Sequence, residues 1–378
     1  MNCRIATIGL IVLFAPLGSL QAGLYGPEDF VPFTIGADKL AEELPYVPNF
    51  KSLLDERASA ANPISPLKDG DKLTYRGRLV ERVEALWPAG GFASKTPAAV
   101  LALSQDRQVA LATDLIRLGR VDDALTLLQP RVQDRTPDFF ALVTLAQAHA
   151  LKGDWEEAIK LHSFAFEGRL PNKLTGSNEA QTTWAINVEK VYVTRWLKLR
   201  FEESKTGVQV ENHDVMPLFS TRFVNDRGEY EPGKLAAGEK AKLPKDAVAI
   251  VQQLLLWSPE DGRLLWLLGE LTAAEGRLRE ASEIFDQLTW GRGFTNRKIF
   301  MEHRTLVNKA AEALPKDKPA DIPLPDIGTP AKPDSKPPEK PGFLPDSVTI
   351  ILVASLFGIL VLGLVALQIR AIVRRWNR

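Results

Sequence analysis

Cysteine is nearly missing from this chain: Cys3 is the only one in 378 residues. It precedes an apolar run with the grammar of an export signal, the alternative being an uncleaved anchor; if the signal is cleaved Cys3 leaves with it, and the mature protein is expected to form neither a disulfide nor a thiolate site. An excess of charge of one sign is missing too. Forty-seven Lys and Arg balance forty-seven Asp and Glu, which leaves no global field to gather nucleic acid or steer a highly charged substrate. The common catalytic spellings are also absent: the sequence holds no HExxH, CxxC, GxSxG or glycine-rich phosphate loop.

Histidine is scarce, with His149, His162, His213 and His303. His149 and His162 fall on the two helices of one expected hairpin, but two imidazoles without a third ligand make a thin metal site. Both are read as packing residues. His213 and His303 have no spaced partner. Glu156-Glu157 and Glu202-Glu203 are neighbours on helices and point apart, so they are read as solvated faces and not as acid pairs. No cofactor or metal is expected.

Two apolar runs stand at the ends. Residues 1–22 carry Arg4 before an apolar stretch broken by Pro16 and closed by small residues near Ala22, which reads as a signal peptide. Residues 346–369 contain an uncharged stretch from Ser347 to Ile369. At ~1.5 Å per residue such a helix crosses a hydrocarbon core of ~30 Å. Arg370, Arg374, Arg375 and Arg378 follow it in the tail 370–378, which places the carboxyl end in the cytoplasm and the bulk of the chain outside. Trp376 suits the interface, and Ala354 and Gly358 form a small-xxx-small pair that could seat a second helix. Residues 315–345, rich in Pro, Lys and Asp, read as an extended tether.

Between these ends a phrase recurs. "GRVDDAL" begins at Gly119, "GDWEEAI" at Gly153 and "GRLREAS" at Gly276. Gly119 and Gly153 are 34 residues apart, as are Ala124 and Ala158. Apolar stripes at helical spacing flank each glycine: Leu111, Ala112 and Leu115 before Ala124, Leu125 and Leu128; Leu142, Leu145 and Ala146 before Ala158 and Ile159; Leu265, Leu268 and Gly269 before Ala281 and Phe285. The glycines suit chain reversal in a conformation most residues avoid, and the alanines suit close helix crossings. This period, with a helix on each side of the glycine, resembles the tetratricopeptide repeat.

The expected fold class is therefore all-α: a TPR-like α-solenoid of antiparallel helix pairs over 71–314, with one C-terminal transmembrane helix. The interval from Gly153 to Gly276 exceeds two periods and leaves room for a further repeat with an insertion at 205–243. That repeat takes its helices from the segments beginning at Asn178 and Pro244. Within the insertion, alternation on both sides of Asn225 to Gly228 signals a β-hairpin. A helix from Asn296 to Leu314 caps the array, and "KLTYRGRLVERVEALW" forms a helix ahead of it. Residues 23–70, punctuated by prolines, wrap that leading end with short helices at 37–44 and 49–61.

The resemblance implies a superhelix whose concave face, lined by the first helix of each pair, receives a peptide. The residues expected on that face are Asp106, Thr113 and Arg117, then Phe140, Val143 and Gln147, then Arg263, Trp266 and Glu270. Val109 and Val143 stand where a basic or amide clamp for a terminal carboxylate would be needed, so Phe140 and Trp266 are the expected anchors for a partly apolar ligand. The functional expectation is a non-catalytic scaffold of bacterial envelope type, exported and membrane-anchored, that binds protein or peptide partners and no nucleic acid. Two alternatives stand beside it: an enzyme whose site lies in 205–243, with His213 and Asp214 or Glu211, and an architectural protein that self-associates.

Overall fold

The computed structural model describes residues 31–61, 73–87, 98–133, 138–174, 176–206, 215–295 and 298–315. The signal, the single cysteine, His213 with its acidic neighbours, the tether beyond Pro315, the apolar run at 346–369 and the basic tail lie outside these residues. Among the described residues no helix is long and apolar enough to cross a membrane.

The described chain is all-α. Its helices are α1 (Lys51–Ala60), α2 (Tyr75–Leu86), α3 (Ala98–Leu101), α4 (Gln105–Arg117), α5 (Val121–Leu128), α6 (Phe139–Leu151) and α7 (Trp155–Ala165). They continue with α8 (Glu179–Val188), α9 (Thr194–Thr206), α10 (Ala237–Lys240), α11 (Ala247–Trp257), α12 (Gly262–Ala274), α13 (Leu278–Asp286) and α14 (Lys298–Glu312). Several starts are written in the sequence as side chains that accept from otherwise unpaired amides. Asp138 takes the amides of Phe140 and Ala141 at 3.0 and 3.2 Å. Asn178 and Gln181 cap each other's backbone at 2.9 Å in a reciprocal box.

The three repeated phrases form the three tightest reversals. Helix α4 turns into α5 at Gly119, α6 into α7 at Gly153 and α12 into α13 at Gly276, with φ of 73°, 79° and 82°. These values lie in the left-handed region, where a side chain costs energy, which is why glycine recurs there. The amides after each turn close back onto the preceding helix, as when Arg120 N donates to Leu115 O at 2.8 Å and Asp154 N to His149 O at 2.9 Å. Ala124, Ala158 and Ala281 are all fully buried, and α4–α5 and α6–α7 pack into two stacked hairpins. At Gly269 a Cβ would sit only 2.3 Å from the Phe285 ring, so that ring lies against α12 at a place only glycine leaves open.

The long helix expected from Asn178 is one continuous rod with a π turn at Glu189–Val193 between α8 and α9. A second π turn, Gln287–Gly291, extends α13. Helix α14 closes the array against α13, as the sequence implies.

The expectations for two segments need correction. Residues 37–44 form no helix. Asp38 Oδ1 takes the Leu40 amide at 3.2 Å, Lys39 adopts φ 64°, and Ile35 bridges Ala41, so the segment is a tight turn. The strap 31–50 also lies across the far helices and not at the leading end. Gln181 Nε2 on α8 donates to the Val31 and Phe33 carbonyls at 3.1 and 2.9 Å. Gln252 on α11 exchanges two bonds with the Leu44 backbone at 3.0 and 2.8 Å. Glu280 on α13 accepts from Tyr46 N at 2.8 Å. Phe33 and Phe50 are fully buried, so the strap is part of the core.

The expected β-hairpin is the second correction. The turn is present: Asn225 N donates to Glu229 O at 2.8 Å and Gly228 N to Asn225 O at 2.9 Å. The ladder is not, since the described insertion residues contribute a lone bridge between Glu231 and Lys234 and no strand. Asn225 Oδ1 takes the Arg227 and Glu229 amides at 2.9 and 3.1 Å, so local bonds replace cross-strand ones. Met216, Leu218 and Phe219 are instead buried against helices. Glu239 gathers the segment, taking the Arg222 amide at 2.8 Å and Lys242 Nζ at 2.7 Å.

Candidate functional site

Most of the nine expected groove positions are covered. Asp106 is exposed in the first turn of α4. Thr113 is fully buried and donates to Val109 O at 3.1 Å. Arg117 is buried, with Nη1 donating to Trp257 O at 3.4 Å. Phe140 is half-buried, edge-on to Phe139 with centroids 5.5 Å apart. Val143 and Gln147 are buried, and Gln147 Nε2 donates to Ser258 Oγ at 3.1 Å.

At the other end Arg263 is buried in an ion pair with Glu203. Trp266 is fully buried, and its Nε1 donates to Glu270 Oε1 at 2.7 Å. The same oxygen lies 2.7 Å from His303 Nδ1, and the Tyr230 ring stacks on that imidazole at 3.5 Å. Burial and the Glu270 charge both push the Tyr230 hydroxyl pKa up, keeping it protonated. Trp266 and Glu270 thus tie the insertion and α14 to α12. They fill the interior and offer no anchor to a ligand.

The physical reason is that the chain returns across its own inner face. The carboxyl end of α11 and the turn after it supply Trp257 O to Arg117 and Ser258 Oγ to Gln147. Leu254, Trp257 and Leu264 enclose a small internal space with Val143, Gln147, His162 and Glu189. A sequence with apolar inner positions such as Val109 and Val143 invites this cover, because those side chains gain more from burial than from water.

Among the described residues a cleft of about 480 Å³ stays open at the rim of that covered face. Arg57 and Ala61 border it at the end of α1; Ile116 and Arg117 at the end of α4; Ala150 to Gly153 at the α6–α7 turn. Trp155 opens α7, Trp196 and Arg200 come from α9, and Trp257 with residues 258–261 completes the wall. Trp155 and Trp196 meet edge-on with centroids 6.0 Å apart, and the Arg200 guanidinium lies 5.6 Å over the Trp155 ring. Trp196 Nε1 donates to Asp261 Oδ2 at 2.9 Å, while Asp261 Oδ1 caps α12 through the Arg263 and Leu264 amides at 2.9 and 3.1 Å. The carboxylate therefore fixes one tryptophan and one helix start together.

The cleft is mostly apolar, with cations at its walls, a composition suited to a side chain or small ligand with an aromatic body. No family profile, curated protein or solved structure matches this chain. The cleft must therefore be read from its own chemistry.

Of the nine expected residues, Arg117 alone lines this cleft. Trp155, Trp196, Trp257 and Arg200 were missed, although Trp155 stands inside "GDWEEAI" itself. The available signal was position at Trp155, a half-buried ring that opens a helix directly after a turn; Trp196 and Trp257 are buried and give no such signal.

The two hairpin histidines go to separate partners. His149 Nδ1 lies 2.9 Å from Asp154 Oδ2. His162 is buried, 3.3 Å from Thr194 Oγ1 through Nδ1 and 3.7 Å from Glu189 Oε1 through Nε2. His303, which has no spaced partner in the sequence, meets Glu270 from 33 positions away.

Proposed function

We propose that this protein is a non-catalytic scaffold: an exported, membrane-anchored helical-repeat domain of tetratricopeptide type that binds partner proteins through the tryptophan-walled cleft. The cleft is the observation that carries the reading. Its about 480 Å³ lies within the size range of ligand sites, and three tryptophans converge on it where tight packing alone would leave no space. Support for the repeat type comes from the three glycine turns in the left-handed region and the buried alanine that follows each. The anchor and export rest on the uncharged run at 346–369, the arginines after it and the signal grammar of residues 1–22.

In this reading the mechanism is preorganisation. Stacked helices hold the pocket walls, so little order has to be gained on binding, and confinement at a membrane raises the effective concentration of partners. The test is site-directed photocrosslinking in intact cells from Lys152 at the cleft rim, with exposed Asp106 as the distant control. Lys152 is expected to capture a discrete partner that Asp106 does not, and Trp155→Ala is expected to abolish the capture. Equal capture from both positions, or none from Lys152, contradicts the reading.

A further inference from the structure

We propose that the cleft takes an acidic aromatic segment of its partner: one planar side chain among the tryptophans, with a neighbouring carboxylate facing the cations of the wall. This deepens the scaffold reading and rests on it. The argument begins with charge. Arg57, Arg117, Lys152 and Arg200 line the cleft against Glu260 and Asp261. Asp261 is already committed, one oxygen to the Trp196 indole and the other to the start of α12. Arg57 and Arg117 are buried and bonded, so the cations an arriving segment meets are Lys152 and Arg200, which repel a basic segment and complement an acidic one.

Two of the cations are also held by partners that can be exchanged. Lys152 pairs at 2.9 Å with Asp122, whose side chain is 80% exposed, and pairs of that kind contribute little. Arg200 lies 3.2 Å from Glu203, a carboxylate that also serves the buried Arg263. An arriving carboxylate can therefore engage Arg200 while Glu203 keeps Arg263 paired. A guanidinium suits this role because its planar fork binds carboxylate and stacks on an aromatic face at once. Arg200 already stacks on Trp155.

The apolar part of the argument is shape. Trp155 and Trp196 meet edge-on at 88°; Trp196 is buried, and half-buried Trp155 carries Arg200 over its ring, so an incoming ring meets Trp155 beside that guanidinium. That arrangement accepts a third ring in either offset or edge-on contact. An aliphatic side chain would gain area but not these ring contacts.

The test uses the full chain in detergent and four capped dipeptide probes: acetyl-Phe-Asp-amide, acetyl-Phe-Asn-amide, acetyl-Phe-Lys-amide and acetyl-Ala-Asp-amide, followed by tryptophan fluorescence. The Phe-Asp probe is expected to bind about tenfold tighter than Phe-Asn, as one charge-assisted contact provides. Phe-Lys and Ala-Asp should bind more weakly still. Arg200→Met and Trp155→Ala should each weaken the Phe-Asp probe by about tenfold, and Lys152→Glu, a rim change that leaves the core untouched, should weaken it less. Trp290→Ala, at a 75% exposed ring away from the cleft lining, should change nothing. Equal binding of the four probes, no binding by any, or indifference to both Arg200→Met and Lys152→Glu overturns the proposal. If crosslinking from Lys152 captures a partner through a segment without an acidic or aromatic residue, this proposal fails while the scaffold reading survives.

Discussion

The second hairpin, α6–α7, and the last, α12–α13, are written in the same register yet treat their inner faces differently. Position by position, Val143, Ala146, Gln147 and His162 of the former correspond to Trp266, Gly269, Glu270 and Phe285 of the latter. In the second hairpin the small residue is alanine and the inner amide, Gln147, is satisfied by Ser258 in the turn after α11. In the last hairpin the ring of Phe285 demands glycine opposite it, and the inner carboxylate, Glu270, receives Trp266 and faces His303 from α14. The first hairpin shows the simplest case, with Thr113 bonded within its own helix. One repeat pattern therefore admits three ways to satisfy a buried inner polar group: its own helix, a returning turn, or a capping helix. In each case the inner face is spent on the fold, and the open cleft lies at the rim.

The largest effect that would sharpen this contrast is at the first pair. Trp266→Ala should cost about 3–5 kcal/mol, while Val143→Ala at the same register should cost about 2 kcal/mol, measured from urea midpoints. Equal costs would mean that the last hairpin is no more dependent on its large side chains than the second. Next comes the polar pair. Glu270→Ala strands the Trp266 indole and His303 and should cost about 2–3 kcal/mol, against about 1 kcal/mol for Gln147→Ala. A cycle with His303→Ala should then show strong coupling to Glu270 and none to Gln147.

Gly269→Ala follows, at about 1–3 kcal/mol, because its Cβ would press into Phe285 and either the ring or the helix must shift. At the same register Ala146→Gly should cost only about 1 kcal/mol, a helix-propensity effect. The smallest effect concerns pH. The Arg222 amide and Lys242 hold the Glu239 carboxyl down at about 2, from an ordinary 4.5. A depressed acid contributes stability that is complete above its unfolded value and lost as pH falls toward its folded one. Protection of the amides in 221–242, taken relative to intrinsic exchange at each pH, should therefore fall between pH 4.5 and about 2, and Glu239→Gln should remove that acid-side step. An unchanged step in the variant would assign it to another group.

The helices and turns were legible because they are local. A glycine that needs φ near 80° and an alanine that needs a close neighbour leave their mark within a few residues, so the three glycine-joined helix pairs and the last helix could be placed from the sequence. The cover over the inner face was not legible, since it depends on pairs far apart in the chain. Arg117 finds Trp257, Gln147 finds Ser258, and Gln252 finds Leu44 across 208 positions. The strap failed for the same reason: its prolines and polar residues signal irregular chain but not which helices it crosses. The insertion misled because apolar-polar alternation marks one buried face and is silent on whether helices or a second strand cover it. The cleft tryptophans were not legible either, because Trp155 and Trp257 sit at helix ends and Trp196 lies within the continuous α8–α9 rod, and their convergence depends on contacts far apart in the chain.

The central claim, that the inner face of the repeats is closed by the chain's own return, is tested most directly by thiol labelling. In a Cys3→Ser background, cysteine placed at Gln147 should react with a maleimide at least about a hundredfold more slowly than cysteine at Asp106 under native conditions, since labelling then requires local opening. The two rates should converge once the chain is unfolded in urea. Equal native rates would show an open groove at Gln147 and contradict the account.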